Sequence, residues 1–186
     1  MIKISETGRS MIEMLGVLAI IGVLSVGGLQ VIGRMQASQK SAQLVADVAE
    51  FVNLAKKMSC QYDNAYDTDG SGNISMFMYK NNAYPKNWEY DGKSKFIGDS
   101  DATYTIYEFG DSSSVLAEFS IQIIGLGDTD CMKLVTSNIV KKNNNLGFEY
   151  IMLNGRKLYD AIDMATAVKA CNKKKNNIHI DFKGCM

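Results

Sequence analysis

The sequence predicts an α+β protein: a long N-terminal α-helical spine, membrane-spanning in its first half, packed against a small antiparallel β-sheet head with disulfides. Three observations carry that expectation. An apolar run from Met11 to Ile32 passes directly into a segment with helical apolar spacing. Further on, two stretches rich in β-branched and aromatic residues flank a Gly-Asp-Ser-Ser-Ser loop. Four cysteines all lie beyond the apolar run.

The apolar run covers 22 residues, with Glu13, Ser25 and Gln30 as its polar members. As a helix it is long enough to cross a hydrocarbon core of ~30 Å. A secretory signal peptide would place positive charge first and a small-residue cleavage site after the apolar part. Here an eight-residue polar piece ending in Gly8 comes first and no such site follows, so the apolar part is retained. A carboxylate inside it, Glu13, is costly unless it lies at the interface or meets a partner.

Leu44, Val45, Val48, Phe51, Val52, Ala55 and Met58 then recur at helical spacing, with Gln43, Asp47, Glu50, Asn53, Lys56 and Lys57 on the remaining surface. One helix from about Ser10 to Cys60 would run ~75 Å. The organisation that follows is a polar start at 1–8, a transmembrane helix at 9–33, the amphipathic half of the spine at 34–60 and a globular α+β head at 61–186. Within the head, Thr103–Phe109, Val115–Ile124, Tyr150–Leu153 and Ile178–Phe182 read as strands, and Asp128–Val135 and Ala161–Ala170 as short helices.

Twenty basic residues balance twenty acidic ones, so charge gives no case for a nucleic-acid partner, and none specific is predicted. Lys141-Lys142 and Lys173-Lys174-Lys175 read as solvated faces of turns. Cys60, Cys131, Cys171 and Cys185 lack CxxC spacing and have only His179 as an imidazole companion, which disfavours zinc and favours two disulfides in an oxidising compartment. Three pairings are open from sequence.

Asp67-Thr68-Asp69-Gly70-Ser71-Gly72-Asn73-Ile74 matches the front half of a calcium-binding EF-hand loop, with Asp67, Asp69 and Ser71 as oxygen ligands at alternate positions. Its back half fails, because Met78 stands where a bidentate glutamate is needed. Asp63 could supply a carboxylate to a weak calcium site; the other reading is a polar turn joining spine to head. For catalysis the chain offers little. His179 and Asp181 alternate to the same side of a strand, read as the solvent face, and no nucleophile elbow or phosphate loop is present. Trp88, Tyr79, Tyr84 and Tyr90 are read as filling the head's own core, with a binding surface as the alternative. No enzyme is expected.

The order Gly8-Arg9-Ser10-Met11-Ile12-Glu13-Met14-Leu15, followed by Gly-Val-Leu-Ala-Ile-Ile-Gly-Val-Leu, resembles the start of type IV pilins and their pseudopilin relatives. The resemblance implies cleavage by a prepilin peptidase between Gly8 and Arg9, N-methylation of Arg9, and Glu13 as the fifth residue of the mature chain. It implies a single-pass protein of the inner membrane, head in the periplasm, that later packs helix to helix with other copies into an extracellular pilus. In the filament, Glu13 would meet the α-amino group of a neighbour's Arg9. Such a pair sets register more than it adds stability. Two positions depart from the commonest pattern. Arg9 replaces the usual phenylalanine or methionine, and Gln30 stands where many pilins have a kinking proline, with Gly27-Gly28 nearby as another place to bend.

The stretches around Cys131 and Cys171 resemble the head of the type IVb branch. That likeness implies a Cys131–Cys171 disulfide, leaving Cys60 with Cys185. The functional expectation is a structural subunit of a type IV pilus serving adhesion, motility or DNA uptake. The alternatives are a pseudopilin of a type II secretion system and a membrane-anchored periplasmic binding module.

Overall fold

A computed structural model describes residues 7–61, 72–109, 118–142 and 144–184; within the first segment, side chains are described for 14–19, 36 and 38–58. The chain divides into two compact units, Met1–Gln39 and Lys40–Met186. Helix α1, Thr7–Gln61, is the long helix that the sequence predicts. Among the described residues no helix is long and apolar enough to cross a membrane; most side chains of the 11–32 run fall outside them.

The second unit is α+β. A seven-stranded sheet has the order β1-β2-β3-β4-β7-β5-β6 and is antiparallel throughout. Its strands are β1 (Glu89–Tyr90), β2 (Phe96–Ile97), β3 (Thr103–Phe109), β4 (Glu118–Leu126), β5 (Phe148–Leu153), β6 (Arg156–Leu158) and β7 (Asn176–Lys183). The short helices are α2 (Ser75–Lys80), α3 (Asp128–Val135) and α4 (Met164–Ala170).

Alternation explains the sheet. On the inner face Tyr104, Ile106, Phe119, Ile121, Ile123, Ile178, Ile180 and Phe182 are buried, and the periodic residues of α1, Leu44, Val48, Phe51, Val52, Ala55 and Met58, join the same core. The two readings that matter most for this layer, strand at Thr103–Phe109 and helix at Asp128–Val135, match the observed bounds. Helix α4 begins at Met164, three residues later than expected, because Asp163 caps it: its carboxylate accepts from the Thr166 N–H at 3.0 Å and from the Thr166 hydroxyl at 2.8 Å. The backbone N–H of Thr166 comes first among the contacts that hold the Asp163 carboxyl below the usual range.

Ring packing locks the end of the sheet nearest β1. Trp88 stacks on Tyr104 with centroids 3.9 Å apart and tilts against Phe51 at 5.0 Å. Gly98 lies against this stack: a Cβ there would come within 2.8 Å of the Tyr104 ring and 3.1 Å of the Trp88 indole nitrogen. Gly98→Ala is therefore expected to cost about 1–3 kcal/mol by overpacking. Urea unfolding followed by the fluorescence of Trp88, the single tryptophan, measures it.

Candidate functional site

Gly8, Arg9 and Glu13 lie on helix α1, but their side chains are outside the described residues. So is Cys60 as a side chain, and Asp63, Asp67, Asp69, Ser71 and Cys185 lie outside altogether. What is described immediately after Glu13 is a bare apolar surface. Met14, Leu15, Val17 and Leu18 are 69%, 65%, 55% and 61% exposed, and a Cβ on Gly16 would meet nothing within 4 Å.

The described end of the calcium-like motif runs into α2. Gly72 takes the left-handed conformation, φ +69°, and the Asn73 carboxamide oxygen accepts from the Ser75 N–H at 2.9 Å, turning the chain into the helix. Met78, at the position where an EF-hand needs its glutamate, is fully buried in the core. No group of three or more metal-ligating side chains is found among the described residues.

Cys131 and Cys171 form a disulfide, with Cα atoms 5.8 Å apart. Both sulfurs belong to the buried core. The bond ties α3 to the end of α4, the pairing implied by the likeness to type IVb heads.

Asp47 corrects the sequence reading, which placed it on the polar surface of the spine: it is 4% exposed. Burial of a carboxylate is tolerable when both oxygens are hydrogen-bonded. The Gln43 amide, one turn earlier, donates to Oδ1 at 2.7 Å and the Asn87 amide donates to Oδ2 at 2.7 Å. Asn87 also reaches Asp99 at 3.2 Å, and the Ser41 hydroxyl donates to Asp130 on α3 at 2.6 Å. These contacts fasten the 41–47 part of α1 to helix α3 and to the loop that carries Asn87. The spacing of Asp47 from Leu44 and Phe51, three and four residues away, was the available sign of its inward position.

Trp88 is core, as expected, whereas the tyrosines divide. Tyr79 stacks on Tyr90 at 4.5 Å and on Tyr84 at 5.8 Å while remaining 44% exposed. Tyr84 and Tyr90 are half-buried and pack against the ring of Phe96.

On the outer sheet face, Tyr107, Ser120, Asp181 and Tyr150 make one row across β3, β4, β7 and β5. His179 and Asp181 share a side, as the alternation required, with Nε2 3.0 Å from Oδ1, an oxygen that accepts no well-aligned hydrogen bond among the described residues. The face is less open than expected, with Asp181 only 15% exposed at its side chain and Ser120 fully buried. The Ser120 hydroxyl finds no hydrogen-bond partner among the described residues.

Tyr150 donates to Asp181, and that bond, with burial and the negative charges of Asp181 and Glu118, pushes its phenol up to about 12. Burial first, then the charges of Asp130, Asp47 and Asp99, against an opposing Ser100 contact, raise Tyr104 to about 12. A phenol with a raised folded pKa contributes stability below its ordinary value near 10 and loses it as pH climbs through the folded value. The head is thus expected to weaken between pH 10 and 12. Asp181→Asn should bring one tyrosine back toward 10 and leave the Tyr104 transition near 12, as read by tyrosinate absorbance.

Neither a scan of protein-family models nor a search of curated proteins finds a match to this chain.

Proposed function

We propose that this chain is a structural, non-catalytic subunit of a type IV pilus-like filament, cut by a prepilin peptidase after Gly8, methylated at Arg9 and assembled through its N-terminal helix. Before assembly it sits in the inner membrane as a single-pass protein with its head in the periplasm. The observation that carries this reading is the exposed run Met14, Leu15, Val17 and Leu18 directly after Glu13 on helix α1. Contiguous apolar side chains of this size are unfavourable in water and call for hydrocarbon or neighbouring helices. The sequence around them offers both in turn: a 22-residue apolar run for the membrane and Glu13 to set register against a neighbour's new amino terminus.

The antiparallel head with its buried Cys131–Cys171 bond suits a subunit that must persist in an oxidising, chaperone-free space. Cys60–Cys185 would add a second bond there. The filament would serve adhesion, motility or DNA uptake.

Deleting the protein should remove filaments from the cell surface, and wild type should restore them while Gly8→Ala does not. Glu13→Gln should leave cleavage intact and impair assembly. An uncleaved chain indifferent to Glu13→Gln would contradict the proposal and favour a membrane-anchored module; cleaved chain with no surface filament would favour a type II secretion pseudopilin.

A further inference from the structure

The turn that leads into strand β7 and the cavity beside its far end differ in charge. Just before it, Lys173, Lys174 and Lys175 are exposed in the turn after α4. Lys173 and Lys174 line a surface cavity of about 200 Å³ whose other walls include Met132, Val168 and a single acid, Asp128. At the far end, Glu118, Glu149, Tyr150, His179 and Asp181 line a cavity of about 170 Å³. There Lys183 pairs with Glu149 at 2.8 Å, and His179 Nε2 lies 3.0 Å from Asp181 Oδ1. Glu118, opposite Lys183 in the ladder, is exposed and makes no ion pair among the described residues.

Three lysines against one acid therefore mark one end, and at the other the three carboxylates Glu118, Glu149 and Asp181 outnumber the two ammonium groups of Lys183 and Lys157. The chain has a net charge of +0, so this is segregation rather than excess. At 3.3 Å per residue, an eight-residue strand holds the two cavities about 25 Å apart. One copy cannot bring its own two ends together.

A two-fold axis through either end would set like charge on like, and a side-by-side two-fold pair would use up both ends in a closed dimer. Translation along the strand instead sets basic end on acidic end, which is a heterologous contact that propagates without closing. The Tyr150 ring in that cavity is covered by this chain's own Lys157, whose ammonium lies 3.4 Å from its centroid, so the carboxylates and not the ring would meet an incoming lysine.

We propose that the heads of successive copies meet end to end, the Lys173–Lys175 turn of one copy docking in the Glu118, Glu149 and Asp181 cavity of the next. The contact rests on the filament reading and adds head-to-head register to the helix packing. Electrostatic pairing of this kind selects partner and orientation more than it supplies affinity.

The test is carbodiimide cross-linking of sheared filaments assembled from mixed isotope-labelled and unlabelled full chains, followed by peptide mass spectrometry. Mixed-isotope links from Lys173, Lys174 or Lys175 to Glu118 or Glu149 are expected. In parallel, K173E/K174E/K175E should lower sheared filament roughly tenfold, and adding E118K should recover it to within about threefold of wild type. Membrane abundance and an intact Cys131–Cys171 bond report folding; if the triple variant misfolds, the wild-type cross-links and E118K alone decide.

Wild-type filaments lacking these links, or undiminished filament from a folded triple variant, would overturn the end-to-end contact and leave the subunit reading standing. Absence of filaments from wild type would overturn both.

Discussion

Phe51→Ala is expected to destabilise the head by about 3–5 kcal/mol, the usual cost of deleting a buried phenylalanine ring. Phe51 is fully buried, and its ring lies 5.0 Å from Trp88 and 5.4 Å, edge-on, from Phe96. It is the residue through which the spine enters the aromatic end of the core, so the cavity left behind would be walled by rings already fixed by their own stacking and slow to collapse. Against a typical total of 5–15 kcal/mol, that loss would consume much of the stability. Phe51→Leu, which keeps most of the volume, should cost less than half as much. Denaturant unfolding followed by Trp88 fluorescence measures both, and a near-neutral Phe51→Ala would mean that the 40–61 part of α1 does not pack on the sheet as described.

Removing the Cys131–Cys171 disulfide as the double alanine variant is expected to cost about 4 kcal/mol. The bond closes a sequence separation of 40 residues, and that loop contains the second half of α3, then β5, β6 and α4. The unfolded chain gains the freedom of the whole loop when the bond is lost. Both cysteines are buried, Cys131 completely and Cys171 at 2% exposure, so reductant should reach the bond only after the head opens. The expected signature is a lower unfolding midpoint for C131A/C171A, together with resistance of the wild-type bond to mild reductant below that midpoint. A loss under about 1 kcal/mol would show that the loop remains organised without it.

Much of the head's framework was legible because its long elements obey a single period. Strand β3 and helix α3 could be bounded from sequence, since alternation in Thr103–Phe109 and the compact apolar spacing of Cys131, Leu134 and Val135 leave little ambiguity. What was missed has no period to read. Strands β1 and β2 are two residues each, too short to alternate, and are held as strands only by pairing in turn with the next strand, β1 on β2 and β2 on β3. Strand β6, Arg156-Lys157-Leu158, is mostly polar because it is the sheet's edge. Helix α2 was hidden inside the calcium-like motif, whose second half supplies core side chains rather than ligands.

The same contrast holds for the site. Gly8, Arg9 and Glu13 were legible as a motif because cleavage and register depend on chemistry at fixed spacing. The hydrogen-bonded Asp47 and the row from Tyr107 to Tyr150 were not, because each is assembled by residues from separate elements, Asn87 in one case and three other strands in the second. The difference in charge between the turn before β7 and the cavity beside its far end likewise becomes visible only when Glu118 and Glu149 are brought beside Asp181.

The most direct test of the subunit assignment is intact and peptide mass spectrometry of the protein from sheared cell-surface material, beside the membrane fraction, in cells carrying the peptidase. The account predicts that sheared material holds a chain beginning at Arg9, methylated there, with its mass lowered by the hydrogens lost to two disulfides. A chain beginning at Met1 and confined to the membrane would contradict it.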